Sequence, residues 1–309
     1  MNPLLATLGG KLTERWLNLL ILPGALFLAA AAVGTTLGHR HWHDADRLRA
    51  TLDELAARPA LDRTGTAALL VALVLLTAAA ASLAAQFLGG GFERYWLRFG
   101  RDPLAHALTA RRARRWRARD ARVEDALARL GPTGSGPNGT VTVPRSTWDR
   151  IQALVEARDR IALREPARPT WYGDRMQTAA DRVEDAYGAD LAALWPRLWL
   201  ILPESAERQL RSAHDSFAAA GRLAAWAAGY ALLACWWWPA APVAVCCGAV
   251  ARSRARTALD TLAHLIEAAV DVHGRELAGR AGLIAPDTDA EPLSRGTGER
   301  MSELFRKAG

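Results

Sequence analysis

Asp260, His264, Glu267 and Asp271 recur at i, i+4, i+7 and i+11, a spacing that lines four titratable side chains along one helix face. Carboxylates and an imidazole so aligned could hold a metal ion or move protons on a bound substrate. His273, two residues beyond Asp271, extends the set. The alternative is a solvated stripe opposite an apolar face, and it is the expectation adopted here. His39, His41 and His43, followed by Asp44 and Asp46, form a second constellation. On a helix, His39 and His43 would share a face and could ligate a transition metal. A polar helix end beside the interfacial Trp42 explains them better, so no catalytic residue, metal or cofactor is assigned.

The densest charge run is Arg111-Arg112-Ala113-Arg114-Arg115-Trp116-Arg117-Ala118-Arg119. Such a run can meet nucleic acid, but its place some twenty residues after an apolar block favours anionic lipid. Each basic residue near such a surface contributes about 1 kcal/mol. Arg111, Arg112, Arg114, Arg115 and Arg117 are the candidate headgroup contacts, with a solvated topology determinant as the alternative. Trp195-Pro196-Arg197-Leu198-Trp199 is the most specific element. It reads as an interfacial segment or the core of a module, or else as a site where Trp195, Pro196, Arg197 and Trp199 meet a partner. No P-loop, G-x-S-x-G, H-E-x-x-H or dinucleotide fingerprint is present. Cys235, Cys246 and Cys247 lie in one apolar block and give no disulfide or zinc spacing.

Three apolar blocks must carry these groups: Trp16–Leu37, Thr66–Leu88 and Phe217–Ala251. A bilayer core of about 30 Å needs about 20 apolar residues of helix. The first two blocks contain no charged residue or histidine, so both read as spans, the first uncleaved although Lys11 and Arg15 precede it. The third is too long for one passage and carries Pro239 and Pro242 at its middle. It is expected to fold as a hairpin split at Pro239–Pro242, with Trp236-Trp237-Trp238 at the far interface. A re-entrant hairpin is the variant.

Orientation follows from arginine. The 309-residue chain carries a net charge of +7, concentrated after the second span, whereas His39–Gly65 is balanced. Basic flanks stay cytoplasmic, which places both termini inside a bacterial inner membrane. The expected fold is all-α: an integral membrane protein with four transmembrane helices and a helical cytoplasmic module. Residues 1–91 hold the first two spans, 92–216 an Arg-rich cytoplasmic domain, 217–251 the hairpin, and 252–309 a C-terminal helix and mobile tail.

Within the module, helices are expected at about 103–130, 147–163 and 173–187, then an apolar run over 191–202, an amphipathic lead-in over 204–216 and a long helix over 257–281. Gly89-Gly90-Gly91 should break the second span or its extension, and residues 131–139 should be a flexible linker. Thr140–Val143 reads as a short extended stretch. Tyr187-Gly188 reads as a left-handed cap. The small residues Ala78–Ser82 with Ala85 suit close helix packing.

Pro169-Thr170-x-x-Gly173, Tyr187-Gly188 and Trp195-Pro196-Arg197-Leu198-Trp199 followed by Leu202-Pro203-Glu204 resemble a signature of uncharacterised bacterial multi-pass membrane proteins. Asp271-x-His273 is similar too, whereas Asp174 stands where that family usually has Asn. The resemblance implies the architecture and brings no activity with it. The expected function is non-enzymatic: a module that recruits or senses an unidentified protein at an anionic membrane, with self-association open. A membrane-perturbing or pore-forming effector is the alternative, and a membrane enzyme using the Asp/His/Glu stripe is the third.

Overall fold

A computed structural model describes residues 21–40, 42–57, 64–98, 100, 102–130, 144–284 and 293–306. The start of the first span (16–20), His41, the linker at 131–139, the stretch 140–143 and much of the tail lie outside the described residues. Among those described, all secondary structure is helical. The elements are α1 (Leu22–Leu37), α2 (Ala45–Ala56), α3 (Thr64–Trp96), α4 (Pro103–Ala128) and α5 (Arg145–Asp159), then α6 (Trp171–Tyr187), α7 (Leu191–Trp199), α8 (Glu204–Leu233), α9 (Ala240–Arg280) and α10 (Arg295–Arg306). The chain divides into two units: Met1–Glu93 with Ser216–Ala255, and Arg94–Asp215 with Arg256–Gly309.

The first unit is held together by small residues. On α3 the buried residues are Ala78, Ser82, Ala85 and Gly89, spaced i, i+4, i+7 and i+11, so one narrow stripe meets the neighbours. Gly24 of α1 lies so close to this stripe that a Cβ there would sit 2.1 Å from the Ala78 carbonyl oxygen. Gly221 of α8 meets the Gly89 carbonyl in the same way. Phe27 packs against Tyr230 with ring centroids 5.3 Å apart, nearly edge-on. Most of the large apolar side chains of α3 are uncovered; Phe87 is 82% and Leu69 72% exposed. Close backbone approach inside and bare aliphatic surface outside is how helices pack in lipid. One helix, Gly65–Trp96, is long and apolar enough to cross a membrane. It runs unbroken through Gly89-Gly90-Gly91, which corrects the expected break: Gly89 is needed for contact, and Gly90 and Gly91 face open space.

The third apolar block does turn back on itself. Residues 234–239 form the turn, ahead of Pro242 in α9. Ala227 of α8 and Gly248 of α9 then lie side by side. The apolar part of α9, residues 240–251, is only about 18 Å long at ~1.5 Å per residue.

The second unit encloses a core of Val183, Leu194, Leu198, Leu202, Leu210, Ile266, Val270, Leu277 and Met301. Helix α6 starts where the Thr170 hydroxyl oxygen accepts the Gly173 N–H at 3.1 Å, and it ends at Gly188, whose φ of 63° is left-handed. Thr170 also donates its hydroxyl to the Trp96 carbonyl, and Tyr172 stacks on Trp96. The C-terminal segment is not wholly a mobile tail. Helix α10 docks on α6 and α7, with Met301 fully buried. Ser302 accepts the Asp190 N–H at 2.8 Å, and Arg306 grips the Asp190 carboxylate.

Candidate functional site

The stripe on α9 is partly solvated, and three of its carboxylates also meet partners on α6. Arg175 of α6, 2% exposed, donates from Nε to Asp260 at 2.6 Å and from Nη1 to Glu267 at 3.1 Å. Arg182, two turns along α6, donates to the other Glu267 oxygen at 3.2 Å. Tyr187, at the end of α6, donates its hydroxyl to Asp271 at 2.8 Å. That hydrogen bond, with partial burial, pushes the Tyr187 phenol above its ordinary range. The i+4 and i+7 periodicities of the two helices thus mesh into an ion-pair ladder. His264 stays exposed, 3.7 Å from Asp260. His273 turns instead to Glu276 at 3.4 Å. Among the described residues no cluster of three His, Cys, Asp or Glu could hold a metal, and this includes His39 and His43.

The arginine run divides by helical phase. Arg112 is mostly buried: Nη1 donates to Asp174 and to the Arg168 carbonyl, each at 2.6 Å, and Nη2 to the Ile161 carbonyl at 2.6 Å. Trp116 donates to the Ala162 carbonyl at 2.9 Å and Arg119 to the Ala157 carbonyl. Residues 112, 116 and 119 therefore clamp α5 and the segment leading to α6 against α4. Arg117 pairs with Glu165 at 2.6 Å. Arg111, Arg114 and Arg115 are exposed and make the open basic face. Of the five candidate headgroup contacts, Arg112 is thus committed to the interior.

Asp174 is the centre of this clamp. It accepts the backbone N–H groups of Ala167 and Arg168 at 3.0 and 2.8 Å, besides Arg112. Burial raises its carboxyl above the ordinary range, against the lowering pull of Arg112 and the two amides.

In the Trp195–Trp199 element, Leu194 and Leu198 of α7 are the fully buried residues. Arg197 stacks on the Phe305 ring and donates to its carbonyl at 3.2 Å. The first partner of this element is thus the chain's own α10. Trp195 and Trp199 are half-buried and wall a groove of about 350 Å³ with Leu210, Arg211, His214 and Ile266. A second groove, about 400 Å³, lies along Leu97, Arg168, Met176, Ala180, Leu191 and Trp195. Neither was expected from sequence, because their walls come from segments far apart in the chain.

No family model, no curated protein and no solved structure matches the chain.

Proposed function

We propose that this is a bacterial inner-membrane protein whose helical module recruits or senses a protein partner beside an anionic lipid surface. In this reading α1 and α3 cross the bilayer, the α8–α9 hairpin enters from the cytoplasmic side, and both termini stay inside. The observation that carries the membrane assignment is α3 itself, apolar on every side and buried along a single stripe of small residues. In water such a surface would expose far more contiguous apolar area than a monomer tolerates. The shortness of the apolar part of α9 favours a hairpin that dips into the bilayer or thins it. Arg111, Arg114 and Arg115 supply the lipid contact.

The non-enzymatic part of the reading is supported by the ladder. Asp260 and Glu267, which an acid–base site would need free, are each already ion-paired. Reporter fusions after Arg49 should give a periplasmic signal, and fusions after Asn138 and Gly309 a cytoplasmic one; a cytoplasmic signal after Arg49 refutes the topology. The full chain is needed for lipid work, because α9 completes the module's core and a fragment of residues 92–216 lacks it. In nanodiscs, replacing Arg111, Arg114 and Arg115 by Gln should weaken retention of anionic over neutral lipid, and salt should weaken it in the parent protein. Equal retention of both lipid types removes the headgroup role.

A further inference from the structure

The 400 Å³ groove has the composition of a ligand site. Its walls are Leu97, Met176, Ala180, Leu191, Trp195 and Ile266, and its polar groups are Arg168 and Gln177. Ligand sites of about 300–1,000 Å³ pair an apolar lining with a few placed polar groups in this way. Met176 can adapt its unbranched side chain to an irregular guest. The Arg168 guanidinium is held at the groove by donation to the Gln177 carbonyl oxygen, and Gln177 in turn donates to Asp181 at 2.7 Å.

Gly173 completes the arrangement. A Cβ there would come within 2.8 Å of the Arg168 Cδ, so only glycine lets the Arg168 stem lie across the start of α6. Burial works against the Arg168 charge, and Asp174 and Asp181 offset this only in part. An anionic group in the groove would complement that charge. Asp174 itself accepts from Arg112 and two backbone amides.

We propose that this groove binds a single-chain anionic amphiphile, with the acyl chain along Met176, Ala180, Leu191 and Trp195 and the acidic head at Arg168. The shared chemistry is one acyl chain carrying a carboxylate or a phosphate, as in a fatty acid or a lysophospholipid. Trp195 and Ile266 are walls common to this groove and its neighbour, and one acyl chain is the occupant proposed for this one. Leu97 lines the groove and directly follows α3 in the chain. Lipid as the source of the ligand therefore rests on the membrane reading of α3, whereas the groove's chemistry does not.

The test is photo-crosslinking of the full chain, in phosphatidylcholine nanodiscs, with a diazirine-labelled palmitate, read by peptide mass spectrometry. Crosslinks are expected at Met176, Leu191 or Trp195. Unlabelled palmitate and lysophosphatidylglycerol should compete, and neutral monopalmitoylglycerol should compete at least tenfold less well. Competition by palmitate without the lysolipid identifies the head as a carboxylate, competition by both admits a phosphate, and failure of palmitate to compete overturns the site. Arg168→Gln should weaken palmitate labelling about tenfold, the loss of one charge-assisted hydrogen bond, and leave the weak monopalmitoylglycerol competition unchanged. Ala180→Phe should fill the groove and abolish labelling, with circular dichroism confirming the fold. Labelling confined to α1 and α3, or unaffected by Arg168→Gln, overturns the proposal. That outcome leaves the reporter-fusion topology standing, so the two readings fail separately.

Discussion

Replacing Arg175 by Met isolates what the ladder on α9 does. The substitution keeps volume and helix propensity but removes the charge that joins Asp260 and Glu267. Breaking a fully buried ion pair destabilises by about 3–5 kcal/mol, whereas exposed pairs contribute at most about 1 kcal/mol. This site lies between those limits. Glu267 would keep Arg182 at 3.2 Å, and the half-exposed Asp260 can rehydrate. The expected loss is therefore about 2–3 kcal/mol. Arg175→Lys should recover only part of it, since an ammonium cannot bridge two carboxylates as a planar fork does. The measurement is pulse proteolysis of the full chain across a urea series in detergent, following cleavage within the second unit. His264→Ala is the control, and its effect should stay within about 0.5 kcal/mol. A double-mutant cycle of Arg175→Met with Glu267→Gln should show coupling of about 1 kcal/mol or more. Should Arg175→Met fall within the His264 control, or His264→Ala match it, the ladder is not what holds α6 to α9.

Gly298→Ala should release α10, because a Cβ there would lie 1.9 Å from the Tyr187 carbonyl oxygen; brief trypsin treatment should then cut at Arg295 or Arg300 while the parent protein resists. The Asp174 carboxyl gives a pH signature. Its pKa is raised on folding, so the folded state binds that proton more tightly than the unfolded chain. Its contribution to stability should thus decline as pH rises from the ordinary carboxylate value, about 4, through the raised one, and level off above. The stability of the parent minus that of Asp174→Asn should follow this curve in urea unfolding at several pH values; a difference that grows with pH reverses the sign and refutes it.

Local signals carried most of the helix register. Gly188 as the left-handed stop of α6 and the packing of Ala78, Ser82 and Ala85 follow from side-chain chemistry within a few residues, whereas the Thr170 cap starts α6 ahead of the expected Gly173. The failures lie where a distant segment decides. The polar stripe was visible as a stripe, but the residues that neutralise it, Arg175 and Arg182, are some 85 positions earlier on another helix. Gly89-Gly90-Gly91 reads as a breaker by propensity, and tertiary contact at Gly89 overrides it. The polar run around Pro286 suggests a loose tail, although Met301, Gly298 and Ser302 beyond it form a docking face. Both grooves are products of such long-range packing, and no window of sequence shows either.

The arginine run lies between these cases, because its two faces differ within the local sequence. Arg112, Trp116 and Arg119 stand at i, i+4 and i+7, one helix face, and Trp116 in the middle marks that face as inward. Arg111, Arg114 and Arg115 project elsewhere by the same periodicity. A purely electrostatic run would have no reason to hold a tryptophan in phase with two of its cations. The phase difference implies two jobs for one segment. Arg112 and Arg119 on the inner face donate to the carbonyl oxygens of Arg168, Ile161 and Ala157, which fixes the approach of the chain to Asp174 and Arg168. In the proposed topology the outer arginines keep the positive charge that would orient the chain. Neutralising only the outer set should therefore change lipid preference and leave the Asp174 pH signature intact, whereas loss of Arg112 alone should alter that signature with the outer face untouched.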